Sequence, residues 1–223
     1  MDYRIKSDDH DFIYGLPEIF KNELQSAKSI ANPGCFATAI QLALLPLAKE
    51  KLLTAVYTTG ITGSTGAGQS LQPTTHFSWR NDNISAYKTL THQHVDEVLK
   101  SLNQPDEKEV QLHFVPWRGD FVRGIFTSSI IQCDLELNEI QQKYQDFYKN
   151  AAFVTISEKP IDMKQVINTN RCAIHIEKNN ETIVVHSAID NLLKGASGQA
   201  VQNMNVAMNW EENTGLKLKP LAF

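Results

Sequence analysis

Cys35 follows Pro33 and Gly34 and opens an apolar run, FATAIQLALLPLAKEK. A cysteine at the start of a helix sits where unsatisfied N–H groups and the helix dipole favour negative charge, so its thiol is poised to ionise and attack a carbonyl carbon. The Pro33-Gly34 turn would present that thiol at a surface. The plainer alternative is a small apolar residue packed under the helix. Cys133 and Cys172 are far from it and from each other, a spacing that fits neither a disulfide framework nor a zinc site. His92 and His94 form the second reactive group. Side chains at i and i+2 diverge on a helix and no third ligand accompanies them, so no metal is expected. One of the two is a candidate general acid and base beside Cys35, because imidazole titrates near neutral pH and steadies a neighbouring thiolate. Polar residues facing solvent at a helix start are the alternative.

Gly60, Gly63, Gly66 and Gly68 crowd into GITGSTGAG, whose backbone N–H groups, with the hydroxyls of Ser64 and Thr65, could wrap an anion. The segment lacks the Gly-Lys-Ser or Gly-Lys-Thr ending of a Walker loop, and a tight turn between strands would use the same residues. Arg118 and Arg123 are the basic candidates for holding a carboxylate or phosphate, although surface arginines are common.

These groups need elements to position them. Tyr14 to Glu18 reads as a turn into a short amphipathic helix around residues 19–27. Phe36 to Lys51 predicts a helix buried on most sides, bent or ended by Pro46. Residues 54–62 suit a strand. Thr91 to Leu102 predicts a helix capped by Thr91, with both histidines in its first turn. Strands follow at 110–115 and 124–135, then a helix capped by Asn138 and running to about Ala151. Two more strands, 172–177 and 182–187, flank the hairpin signal Asn179-Asn180. A last helix runs from Leu192 to Trp210. The fold class is therefore α+β.

The chain has 223 residues, 42% of them hydrophobic, enough for a full core, and a formal net charge of −4 without a basic run. Nothing marks a nucleic-acid partner, and no stretch has the apolar length of a membrane span or a signal-peptide core. A cytoplasmic protein acting on a small anionic molecule is expected.

Taken in order, the motifs resemble the N-acetyl-gamma-glutamyl-phosphate reductases of arginine biosynthesis. The resemblance rests on Tyr14-Gly15-Leu16-Pro17-Glu18, Ala31-Asn32-Pro33-Gly34-Cys35, the STGAG of Ser64 to Gly68, Asn83 to Lys88 with His92-Gln93-His94, Arg123-Gly124-Ile125, and Asp190 onward through KGASGQAVQNMN. It runs from near Asp2 to near Pro220. It implies a mixed sheet with covering helices, like the catalytic domain of glyceraldehyde-3-phosphate or semialdehyde dehydrogenases. It implies Cys35 as nucleophile with His92 or His94 as acid and base, Ser64, Tyr87 and Arg123 as substrate-binding residues, and Gly63, Gly66, Gly195, Gly198 and Gln199 as cofactor-binding residues. The implied cofactor is NADP, with NAD the alternative, and the implied assembly is a homodimer or higher homo-oligomer.

The family begins with a nucleotide-binding domain carrying a glycine fingerprint, which this sequence lacks, and Met1–Arg4 resembles a point well inside the family sequence. A partial chain is expected, with residues 1–34 a junction from the nucleotide domain, 35–187 a catalytic and dimerisation domain, and 188–223 a C-terminal helix and tail. The rival readings are an aspartate-semialdehyde dehydrogenase, a Cys-His hydrolase using water as acceptor, and a non-catalytic dimerisation fragment.

Overall fold

The structure, a computed structural model, describes residues 11–103 and 109–221. Met1–Arg4, which carry the expected position within the family sequence, lie outside the described residues. The short strand β1 (Ile13–Tyr14) leads into helix α1 (Pro17–Leu24), opened by Pro17 where a missing N–H costs nothing. Strand β2 (Ile30–Ala31) pairs in parallel with β1. The chain then enters helix α2 (Cys35–Lys49), in which every residue from Phe36 to Ala48 is buried. Its sequence is apolar nearly all round, so a central position is the stable one.

Pro46 lies inside α2 and does not end it. A proline has no N–H for the carbonyl four residues back, here that of Leu42. The Tyr148 hydroxyl donates to that carbonyl at 2.6 Å, and the Tyr144 hydroxyl donates to the next one, Ala43. A neighbouring helix thus satisfies what the proline leaves open.

Strand β3 (Ala55–Thr62) is followed by a 3-10 turn at Ser64–Ala67, helix α3 (Phe77–Arg80), strand β4 (Ser85–Ala86) and helix α4 (His94–Leu102). Next come β5 (Gln111–Arg118), β6 (Ile125–Gln132), helix α5 (Leu137–Tyr148), β7 (Val154–Ser157), β8 (Cys172–Asn179) and β9 (Thr182–Ile189). A π-helical turn, Leu193–Ser197, runs into helix α6 (Gly198–Ala207). Seven strands make one mixed sheet in the order β4-β5-β3-β6-β9-β8-β7, with β3-β5 and β7-β8 parallel and the other pairs antiparallel. The fold is α+β, as the element order predicts.

Strand alternation gives the sheet two unlike faces. Val56, Leu112, Phe114, Ile125, Ile131, Ile174 and Val185 join Phe36, Ile40 and Leu44 of α2 in the core. The other face presents Tyr57, Trp117 and Ile130 to solvent, with the Tyr57 and His113 rings stacked at 4.8 Å. Ile161 and Val166 cover only the part of it near Ala173, Ala188 and Phe126.

Several boundaries differ from the sequence expectation. Helix α4 starts at His94, so Thr91 is not its cap and His92 lies in the preceding turn. Helix α5 is capped by Glu136 and Glu139 in a reciprocal pair, not by Asn138. The last helix is interrupted, because the Asp190 carboxylate accepts the Leu192 and Leu193 N–H groups and starts a wider turn before α6. Strand β7 was not foreseen at all.

Candidate active site

Cys35 is half-buried at the first position of α2, with Gly34 in extended conformation before it. The turn is held from three directions. The Gly34 N–H donates to Glu97 Oε1 at 2.9 Å, the Tyr14 hydroxyl donates to the same oxygen at 2.8 Å, and Gln41 Nε2 donates to the Tyr14 hydroxyl at 2.7 Å. Glu97 is buried on α4, one turn after His94. Spacing of three residues puts the two on one helix face. One element therefore delivers the histidine and the carboxylate that fixes the cysteine turn.

His94 packs directly on that turn, since a Cβ on Gly34 would lie 2.2 Å from His94 Nε2. His92 is differently placed. Its Nδ1 accepts the His94 N–H at 3.2 Å, which makes the other ring nitrogen its protonated one when neutral. Its ring sits among Phe36, Phe114 and Tyr87, with centroids 5.8, 5.5 and 5.7 Å away.

Tyr87 adjoins the thiol. Burial, and after it the charge of Cys35, push its hydroxyl up to about 12, while Arg118 pulls the other way by charge and hydrogen bond. The Arg118 guanidinium carbon lies 4.5 Å from the Tyr87 ring centroid. Leu112, Phe114, Pro116 and Arg118 alternate along β5, so Arg118 ends the row that faces the core and reaches the mouth of the site.

The glycine loop is braced against the segment that follows β5. The Gly63 N–H donates to the Gly124 carbonyl, Ser64 N–H to Phe121 and Thr65 N–H to Val122, at 2.8–3.0 Å, while Gly66 and Gly68 donate within the loop. The expectation that these N–H groups wrap an anion is corrected: they are engaged in holding two loops together. A Cβ on Gly63 would come within 2.7 Å of the Arg123 backbone, so the glycine permits this approach. The Arg123 guanidinium is paired with the buried Asp190 carboxylate at 2.7 Å. Asn191 joins both loops, accepting from the Gly124 N–H and donating to Thr65 Oγ1. Among the described residues, no group of three or more His, Cys, Asp or Glu side chains could hold a metal ion.

Residues 35–191 match the family model described as "Semialdehyde dehydrogenase, dimerisation domain". The whole chain is 57% identical to the N-acetyl-gamma-glutamyl-phosphate reductase of Phocaeicola vulgatus, 56% to that of Bacteroides thetaiotaomicron and 54% to that of Flavobacterium johnsoniae, spanning 70% of each relative's length. The chain belongs to the N-acetyl-gamma-glutamyl-phosphate reductases. The crystal structure of aspartate semialdehyde dehydrogenase II from Vibrio cholerae shares the fold, with a TM-score of 0.71 at 15% identity over 91% of this chain and 70% of that one. The family comprises oxidoreductases of the NAD(P)-dependent kind, and the matching dimerisation domain marks the chain as part of a homo-oligomer that acts on a small molecule. No helix of the described residues is long and apolar enough to cross a membrane.

For a reductase of this family the cofactor's reactive ring must reach the cysteine. Gly195 is buried and packs on the cysteine itself: a Cβ there would lie 2.8 Å from Cys35 Cβ, so the glycine permits this close contact. The other residues expected to touch the cofactor have internal partners. Gly198 packs on Asn170, and the buried Gln199 donates to the Gly15 carbonyl at 3.0 Å. Gly63 and Gly66 lie in the braced loop. All five residues expected to touch the cofactor thus already pack on or bond to other parts of the described chain.

Sequence reasoning missed Glu97 and Gln41, and named Tyr14 only as part of a motif. The three-residue spacing from His94 was an available signal for Glu97.

Proposed function

We propose that this chain carries the acyl-transfer centre for reduction of N-acetyl-gamma-glutamyl phosphate to N-acetylglutamate semialdehyde in arginine biosynthesis, with NADP as the cofactor and Cys35 as the nucleophile. The observation that carries this reading is the meeting of the α2 N-terminus, the His94 imidazole and Gly195 at Cys35. The Cys35 thiolate attacks the γ-carbonyl carbon, the bond from that carbon to the phosphate oxygen breaks, phosphate leaves with the electron pair, and a thioester remains. Reduced NADP, when bound, would supply the hydride that takes this thioester to the oxidation level of an aldehyde. The His94 imidazolium, formed when the Cys35 thiol gave up its proton, protonates the resulting oxyanion, then takes that proton back as the carbon–sulfur bond breaks and returns it to the thiolate.

His94 is favoured over His92 because its Nε2 faces Gly34, whereas His92 is enclosed by three aromatic rings and bonded to the His94 N–H. Tyr87 lines the acyl end, with Ser64 and Arg123 the candidates for the phosphoryl end, since Gly63 brings their loops together. In this reading the protein is a cytoplasmic homodimer, formed by packing the open sheet face against the same face of a second copy. The amphipathic balance of that face supports it.

The direct test is incubation of the chain with N-acetyl-gamma-glutamyl phosphate, without nucleotide, followed by intact and peptide mass analysis. An acyl adduct on Cys35, absent from Cys35→Ser, is expected. A folded protein with no adduct would defeat the claim that these residues suffice for acylation.

A further inference from the structure

Three consecutive residues of the π-helical turn each grip a different part of the molecule. Lys194 is fully buried, and its Nζ donates to Glu18 Oε1 of α1 at 2.6 Å and to Gln202 Oε1 of α6 at 2.8 Å, 5.9 Å from the Phe153 ring centroid. Gly195 packs on Cys35, and the Ala196 carbonyl accepts from Asn32 Nδ2 in the turn that leads to the cysteine. The turn itself is wide. The N–H groups of Gly195, Ser197 and Gly198 donate to the carbonyls of Asp190, Leu192 and Leu193, each five residues back instead of four. Such turns are rare and recur at functional sites.

The buried pair explains why this turn does not slide back to regular spacing. A shift of one residue would swing Lys194 away from Glu18 and Gly195 away from Cys35, stranding an ammonium and a carboxylate in the interior. Glu18 Oε2 is already buried without a hydrogen-bond partner, and Gln202 Nε2 reaches Oε1 only at 3.4 Å, so Lys194 is the carboxylate's principal compensation. An interior ion pair adds little net stability over an apolar pair of the same volume; what it can supply is register.

We infer that Lys194, held by Glu18, is a positioning residue for Cys35: the ion pair pins the wide turn in the register that sets Gly195 against the nucleophile. This rests on the acyl-transfer reading given above and extends the site to a pair buried behind it.

The test uses the full chain and replaces the pair by neutral side chains of similar length, Glu18→Gln with Lys194→Met. No unpaired charge is left inside, so the thermal midpoint of the double variant should stay near that of the unsubstituted chain, whereas Lys194→Met alone should lower it sharply. Two reactions of Cys35 are then compared by intact and peptide mass. Acylation by N-acetyl-gamma-glutamyl phosphate demands an aligned thiolate; alkylation by iodoacetamide, a small freely diffusing probe, does not. Cys133 and Cys172 are buried, and burial pushes the Cys172 thiol up to about 12, so Cys35 is the thiol that reacts. In the double variant the limiting acylation rate should fall about 100-fold, the usual result of misplacing a reacting atom by an ångström, with the half-saturating concentration and the iodoacetamide rate unchanged. Glu18→Gln alone, which leaves the ammonium two amide oxygens, should show the same split to a smaller degree. Amide hydrogen exchange should quicken at residues 193–198 in the double variant. Unaltered acylation in every folded variant would overturn the assignment, and so would an equal fall in acylation and alkylation. Quickened exchange through the turn, in a chain that forms no acyl adduct even unsubstituted, would uphold the pin and defeat the reductase reading instead.

Discussion

Gly34 and Gly195 come so close to the reacting groups that a single methyl on either collides, with His94 Nε2 at 2.2 Å and with Cys35 Cβ at 2.8 Å respectively. Gly195→Ala is expected to slow Cys35 acylation by about 100-fold, the usual consequence of displacing a reacting atom by an ångström, with little change in thermal midpoint. Paired rate and melting measurements check it; a large loss of stability with normal acylation would show the contact to be structural only. The cysteine and the two histidines were legible in sequence because their chemistry and order are distinctive. Glu97 and Arg80 were not. A charged residue on an amphipathic helix or in a loop reads as solvated, and only tertiary packing buries Glu97 under the Gly34 N–H or Arg80 against Arg118.

At the scale of elements, α2 depends on α5 for the carbonyl that Pro46 leaves open. Tyr148→Phe is expected to cost about 1–3 kcal/mol in urea unfolding, the penalty of an unsatisfied buried carbonyl. In a Pro46→Ala background, where an N–H returns to the helix, the same change should cost much less; equal costs in both backgrounds would show the two features to be independent. The open sheet face carries its own pH dependence. Burial lowers the His186 pKa, Glu177 works against this and His175 with it, and Ser128 Oγ lies 2.9 Å from His186 Nδ1. The folded state disfavours the charged ring, so this contribution is complete above the unfolded value near 6.5 and is lost as pH falls from there through the folded value. His186→Gln should flatten that acid-side decline in denaturation midpoints. Most strands and helices were legible from alternation and periodicity. The helical passage through Pro46 was not, because its remedy comes from two tyrosines about a hundred positions later, and β7 was not, because four residues leave too short a pattern.

For the whole molecule, the unlike faces of the sheet argue for self-association, and Ile130→Glu on the open face should shift sedimentation toward the monomer while leaving Cys35 acylation intact. An unchanged dimer would place the interface elsewhere. The family match could be read from motif order, but the clasp between the two ends of the described chain could not. Lys194 Nζ, fully buried, bonds Glu18 Oε1 at 2.6 Å, Asn203 reaches the Gly15 carbonyl across 188 positions, and Asn32 bonds the Ala196 carbonyl across 164. Such distant pairs form late in folding. During synthesis, therefore, the Cys35 thiol leaves the ribosome long before Gly195 is made to pack upon it, by many seconds at roughly 5–20 residues per second. The nucleophile's surroundings are thus completed only by the C-terminal segment, and chains stopped short of Gly195 should carry a Cys35 thiol that lacks its final packing.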